Sequence, residues 1–346
     1  MTRHSRGRAE TVPAMPDTSP GDTHPAVIAW RAIDPAAPVA WIETLKAQKS
    51  KSTVYRLHLT ARSPIVAKRC RWDVAVHERD LYRDVLPRLS IPTVRQHGWF
   101  PEPDRQCAWL FLEDAGDNEY DPALPIHRRL AAEWLGELHT AAPARVNGRL
   151  LPPRGPEFYL AQASAVRQAI ADSASNPALS DHDRHVLGRI DQCLGYIESR
   201  RARIESDCTN VPRTLVHGDF VSKNIRLRTD GGRTELIALD WETSGWGIPA
   251  ADLCRFVGAP AKPDLVRYHE ILSDRGVGIT MAEVEALAAL GGVFRMIAAM
   301  YWASLGLTHP WVDKCMIWMR AYHDDMGAAL RATEWGLEYT EGDSSG

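Results

Sequence analysis

Polar and apolar residues alternate through Val54-Tyr55-Arg56-Leu57-His58-Leu59, and a second apolar run, Ile65–Cys70, follows the break at Ser63-Pro64. Alternation with a period of two, punctuated by turn residues, predicts two strands. Residues 74–89 then place apolar side chains at helical spacing until Pro87, and Thr93–Trp99 and Cys107–Leu112 predict two more strands joined by a turn at Pro101–Asp104. Strand, strand, helix, strand, strand describes a small sheet carrying one helix, with a further helix expected around Val39–Leu45. Beyond Gly116 the apolar period lengthens, and helices are expected over residues 126–141, 156–173, 181–206, 249–258, 282–305 and 311–332. A strand-rich first part followed by a helical second part is an α+β chain, with the boundary expected near residues 113–120.

The helical part is interrupted at residues 216–242. Ile225 and Leu227 form one short apolar run, Leu236–Leu239 another, and Asp230-Gly231-Gly232 between them is a strong hairpin signal. Pairing the two strands brings their outer ends together, so Asn224, just before the first, meets Asp240, just after the second. Asp219 arrives from the loop leading in. A carboxylate, an amide and a second carboxylate at one place are what a magnesium-dependent phosphoryl transfer requires: an acid to orient and deprotonate the nucleophile, and two oxygen ligands for the metal.

His217-Gly218-Asp219, Asn224 and Asp240-Trp241-Glu242, followed by Gly247-Ile248-Pro249-Ala250-Ala251-Asp252-Leu253, resemble the signature of the phosphotransferase enzyme family, which includes aminoglycoside, macrolide, choline and homoserine kinases. The resemblance implies a protein-kinase-like, two-lobe fold: a nucleotide-binding lobe over residues 25–115, with a small sheet and one helix, and a mainly helical lobe over 116–340 that carries the catalytic loop and the acceptor. It makes Asp219 the catalytic acid/base group, Asn224 and Asp240 the magnesium ligands, and His217 and Asp252 supports of the loop. Ile65-Val66-Ala67-Lys68 resembles the kinase strand whose lysine meets the donor's phosphates. Alternation puts Val66 and Lys68 on one face, where Val66 would lie under the base, and Glu78 is the expected partner of Lys68.

Where kinases have a glycine-rich loop, this chain has Gln48-Lys49-Ser50-Lys51-Ser52-Thr53, without glycine; Ser50 and Ser52 are the expected phosphate contacts. Trp109–Ala115 resembles the interlobe hinge, with the Glu113 carbonyl and the Ala115 N–H expected to meet the base. The donor is expected to be ATP, with GTP as the alternative, and the acceptor a hydroxyl of a small molecule. An antibiotic of the aminoglycoside type leads; an amino alcohol or sugar metabolite is the alternative, and a nucleotide-binding pseudokinase the reading from another class. Neither His-Arg-Asp nor Asp-Phe-Gly is present, which argues against a protein kinase.

Charge refines the acceptor. Across 346 residues the net charge is −3, without the basic excess of a nucleic-acid binder. Residues 51–100 hold 10 Lys or Arg against 4 Asp or Glu, suited to an anionic ligand, whereas residues 261–346 hold 7 against 12. The second imbalance suggests a cationic acceptor, with Trp246, Asp313, Asp324 and Asp325 as candidate contacts. Residues 1–24 are polar and read as a disordered tail. No uninterrupted apolar run suggests a membrane span, so a cytoplasmic location is expected, as a monomer or homodimer. The six cysteines form no Cys-x-x-Cys pair and are expected as reduced thiols.

Overall fold

The alternation that begins near Val54 is realised as a five-stranded antiparallel sheet. In the computed structural model, which describes residues 23–47, 52–255 and 259–333, the chain divides into two compact units. The first is Met1–Tyr82 with Val94–Asp114; the second is Arg83–Thr93 with Ala115–Gly346. The first unit contains α1 (Pro25–Arg31), β1 (Val39–Ala47), β2 (Ser52–Leu59), β3 (Ile65–Arg71), α2 (Trp72–Asp80), β4 (Gln96–Pro101) and β5 (Cys107–Glu113), with the strands in the order β1-β2-β3-β5-β4.

Two expectations fail here. Val39–Leu45 is not helical but forms most of β1, paired with β2 from Val39↔Leu59 to Ala47↔Thr53. Val39, Trp41, Ile42 and Thr44 are residue types that pack on a pleated surface, and the exposed strand edge of β2 decides between the two states. His24, placed in the expected tail, belongs to the fold: its ring nitrogen caps α1 by accepting from the Ala26 N–H, with Pro25 opening the helix. Residues 1–22 lie outside the described residues.

Period two sorts β3 into two faces. Ile65 and Ala67 join Leu57, Trp109, Phe111 and Trp30 of α1 in an apolar cluster on one side. Cys70 packs with Ala75 of α2 and Ala108 on the other. Lys68 shares the α2 face, and that placement carries its chemistry. The helix expected over 74–89 is α2 followed by a π turn at Leu81–Val85 and a 3-10 turn at Leu86–Arg88.

The second unit contains α3 (Pro125–Arg145), β6 (Pro153–Arg154), α4 (Pro156–Asp172), α5 (Asp181–Ser199), α6 (Arg201–Thr209), β7 (Thr214–Val216), β8 (Ile225–Asp230), β9 (Arg233–Ala238), β10 (Gly245–Gly247), α7 (Leu265–Asp274), α8 (Met281–Ser304) and α9 (Asp313–Arg331). The helix expected over 181–206 is broken at Arg200, whose ψ of 8° leaves the helical region, giving α5 and α6. The one expected over 249–258 is a 3-10 turn, Pro249–Leu253, with residues 256–258 outside the described set.

Helix α8 is the central beam of this unit. It starts at a capping box between Thr280 and Glu283 and packs against α4, α9 and the Pro249–Leu253 turn. Its length and apolarity match those of a membrane span, yet 61% of its most apolar window is buried inside the protein, as in a core helix.

Candidate active site

The hairpin β8–β9 pairs from Ile225↔Ala238 to Asp230↔Arg233, leaving Gly231-Gly232 as a two-residue turn. One further backbone hydrogen bond, from the Leu239 N–H to the Asn224 carbonyl at 2.8 Å, extends the pairing past the strand ends. Asn224 and Asp240 are thereby set side by side at the open end of the hairpin. Asp240 adopts a left-handed backbone, φ 65° and ψ 66°, uncommon for a residue with a side chain. Such strain persists only where surrounding structure enforces it, and it concentrates at functional sites.

The loop between β7 and β8 is pinned from below by Asp252, on the Pro249–Leu253 turn. Its fully buried carboxylate accepts from the His217 N–H and the Gly218 N–H, each at 2.7 Å, and faces His139 Nε2 at 3.3 Å. Burial alone would raise the Asp252 pKa. The hydrogen bonds with the His139 ring and from the His217 N–H outweigh it and hold the carboxyl below its usual range. His217 ties the loop to the hairpin. Its Nε2 lies 3.0 Å from the Leu239 carbonyl, and its Nδ1 accepts from the Asp219 N–H at 3.3 Å, which requires the proton on Nε2. Burial, the leading cause, lowers the His217 pKa and keeps the ring neutral. Gly218, at φ +78°, lies against the Thr243 carbonyl, which a Cβ would approach to 2.6 Å, so the turn has no room for a side chain.

Asp219 thus emerges from a rigid loop, and both its oxygens are engaged. Oδ1 accepts from Arg295 Nη1 at 2.5 Å, and Oδ2 from Asn224 Nδ2 at 2.9 Å. Burial pushes its pKa up, but the charges of Arg295 and Lys223 and the Arg295 hydrogen bond prevail, so the carboxylate is held below its ordinary value. Asn224 spends its amide N–H on Asp219, both side chain and carbonyl. Among the described residues nothing donates to its amide oxygen. An unpaired amide oxygen beside a carboxylate is a fitting pair of hard ligands for magnesium, which takes few protein oxygens and completes its shell with phosphate and water. Among the described residues there is no cluster of three or more His, Cys, Asp or Glu able to hold a metal, and a site of this kind requires none.

In the first unit, Lys68 Nζ lies 2.9 Å from Glu78 Oε1 and 2.8 Å from Oε2, with the lysine and glutamate side chains 9% and 1% exposed. A buried ion pair is costly to desolvate and is weak evidence for stability, so its retention calls for another purpose. Arg69 points to the opposite face and pairs with Glu102 at 2.6 Å. Val66 is half-buried beside Lys68 on the same face of β3. Ser52 starts β2 opposite Cys70, and Ser50 lies outside the described residues. β5 ends at Glu113; among the described residues the N–H of the buried Ala115 that follows has no hydrogen-bond partner.

The family model for the phosphotransferase enzyme family matches residues 42–287. The chain belongs to that family. Among curated proteins none is a significant match in sequence. Solved structures that share the phosphotransferase fold include an aminoglycoside phosphotransferase of the APH(2″) type in complex with GDP and kanamycin. It is 14% identical, with a TM-score of 0.58, over 86% of this chain and 98% of that one. A thermostable mutant of the aminoglycoside phosphotransferase APH(4)-Ia, in a ternary complex with AMP-PNP and hygromycin B, is 17% identical, with a TM-score of 0.57, over 88% and 98%. An ethanolamine kinase of Plasmodium vivax is 15% identical, with a TM-score of 0.55, over 81% of each chain. The fold is therefore kinase-like, sheet-rich in its first part and helical in its second, and the family supports a small-molecule phosphotransferase.

The acceptor candidates of this phosphotransferase are less well gathered than its loop residues. Trp246, in β10, lies half-buried over Gly148. Asp325 is exposed on α9, three residues beyond Tyr322, and no hydrogen bond or ion pair ties it to the Asp219 loop among the described residues. Asp324 is 82% exposed beside His323. Asp313 opens the same helix, about 18 Å from Asp325 along an axis that rises 1.5 Å per residue, so the two do not converge on one small molecule.

Two residues of the site escape the motif reading. Arg295 lies in the apolar helix α8 and His139 on the buried face of α3 between Leu135 and Ala142, and the signal for both is a polar side chain at a core position that must find a partner once buried.

Proposed function

We propose that this chain transfers the γ-phosphate of ATP to a hydroxyl of a small molecule. The observation that carries this reading is the convergence of Asp219, Asn224 and Asp240, held by hydrogen bonds from Asn224, His217 and Leu239 and by the Asp252 support beneath them. Asn224 Oδ1 and the Asp240 carboxylate would hold magnesium, which supplies charge neutralisation at the phosphate oxygens. Lys68, kept in place by Glu78, holds the donor's phosphates, with Val66 against the base and the unpaired Ala115 N–H and the Glu113 carbonyl as its hydrogen-bonding partners. Ser52 is the serine of the phosphate loop that the structure describes, and Ser50 keeps the same assignment.

Asp219 orients the acceptor hydroxyl and takes its proton late. In a loose transition state little base strength is needed, which suits a carboxylate with a lowered pKa. His217 and Asp252 hold the loop and take no proton. The acidic balance of residues 261–346 favours an amine-bearing acceptor, with Asp313, Asp324 and Asp325 as candidate acids and Trp246 bordering the loop.

An antibiotic acceptor is supported by the aminoglycoside complexes of two fold relatives, and an amino alcohol by the ethanolamine kinase. The test is nucleotide turnover by purified protein with magnesium and ATP or GTP, against aminoglycosides, macrolides, tuberactinomycins, amino alcohols and sugars. Acceptor-dependent ADP or GDP release with a phosphorylated product is expected. Nucleotide binding without transfer to any acceptor would favour the pseudokinase. A neutral sugar preferred over every amine would reject the cationic acceptor alone.

A further inference from the structure

From Ala286 to Ser304, Arg295 is the one charged side chain of α8. A guanidinium in such a stretch is expensive to bury without an anion. Its side chain is 16% exposed, and its Nη1 donates to two acceptors, Asp219 Oδ1 at 2.5 Å and the Gly218 carbonyl at 3.0 Å. Among the described residues it bonds no other carboxylate. Tyr159, Tyr322 and Cys254 are the other titratable groups around it. Tyr159 stacks on Phe294, the residue before Arg295, with ring centroids 4.2 Å apart.

One nitrogen therefore grips both the backbone of the Gly218 turn and the carboxylate of the next residue. The opposite oxygen of Asp219 is taken by Asn224, with the Lys223 ammonium 3.9 Å away. An ionised carboxylate has about four lone-pair sites. Arg295 and Asn224 fill one on each oxygen, and the open sites that remain face a fixed direction.

We propose that Arg295 is a positioning residue for Asp219: by holding carboxylate and turn together it selects the one side-chain orientation that meets the acceptor hydroxyl. This rests on Asp219 being the acceptor-orienting group. A simple latch between α8 and the loop predicts something different, because loss of a latch lowers stability while each folded molecule keeps its turnover number.

The experiment uses the full chain with ATP, magnesium and the acceptor that gives most turnover, and compares the wild type with Arg295→Gln, Arg295→Lys and Asp219→Asn. ADP affinity confirms the fold of each. Misplacement of a reacting group by about 1 Å costs on the order of 100-fold, so Arg295→Gln is expected to lose about 100-fold in kcat with KM for either substrate shifted less than about threefold. Arg295→Lys, which keeps the charge but not the reach and planar geometry of the guanidinium, is expected to recover about tenfold of that loss and to stay about tenfold below wild-type kcat. A Gln variant within about threefold of wild-type kcat, with Asp219→Asn inactive, overturns the positioning role and leaves the kinase reading standing.

If the Gln variant does not bind ADP, the Lys variant decides: a lower kcat at unchanged KM supports the role, and wild-type kcat overturns it. Full activity in Asp219→Asn, or no turnover by the wild type with any acceptor, removes the underlying reading and the Arg295 role with it.

Discussion

Asp219, Asn224 and Asp240 divide one task, and their chemistry predicts different losses. Asp240 brings charge to the metal and Asn224 a neutral oxygen, so Asp240→Ala is expected to lose most of the magnesium-dependent part of ATP affinity and Asn224→Ala less of it. Calorimetric titration of magnesium-ATP into each variant measures this; unchanged affinity in Asp240→Ala contradicts the metal assignment. Asp252 gives a pH prediction. Its folded-state pKa is lowered, because the contacts from His139 and His217 outweigh burial. Its contribution to stability is therefore fully present above the unfolded carboxyl pKa, about 3.9, and is lost as pH falls through the lower folded value. The wild type should exceed Asp252→Asn in urea midpoint at about pH 5, and the margin should shrink as pH falls below about pH 4. A margin that grows below about pH 4 contradicts the account. The motif residues of this loop were legible because their spacing is local. Arg295, 76 positions from Asp219, was not, because only the packing of α8 against the loop supplies its partner.

Among the elements, the hairpin was the most legible, since two apolar runs around Asp-Gly-Gly leave one pairing that buries Ile225, Leu227 and Leu236. β1 was misread because Val39–Leu45 carries apolar residues at spacings that suit either state, and β2 supplies the hydrogen bonds that decide. The short strands β6, β7 and β10, two or three residues each, are too brief to show a period. Alternation in β3 was readable and makes a sharp prediction. Lys68 faces Glu78 and Arg69 faces Glu102, on opposite sides of the sheet. Lys68→Ala should therefore raise KM for ATP or lower kcat by tenfold or more, about 1.4 kcal/mol, while Arg69→Ala stays near wild type. Steady-state kinetics of the two variants checks this, and equal defects would indicate a diffuse basic surface.

At the scale of the whole chain, strand-rich sequence before helix-rich sequence is enough to place the sheet in the first unit and the helices in the second. The division itself is less simple: residues 83–93 group with the second unit, because Trp134 of α3 bonds the Pro92 carbonyl and Arg145 the Arg88 carbonyl. Sequence distance conceals such contacts. The family match covers the donor-handling motifs and leaves the acceptor open, since a fold hosts many substrates through local changes in its site. The central claim, phosphoryl transfer organised by Asp219, is tested most directly by Asp219→Asn, which keeps the shape of the side chain and removes its charge and its capacity to take a proton. The measurement is ATP turnover with the best acceptor, alongside magnesium-ATP affinity. The account predicts that transfer is abolished while nucleotide affinity stays near the wild-type value. Retention of more than about a tenth of wild-type turnover, a barrier change below about 1.4 kcal/mol, would contradict it.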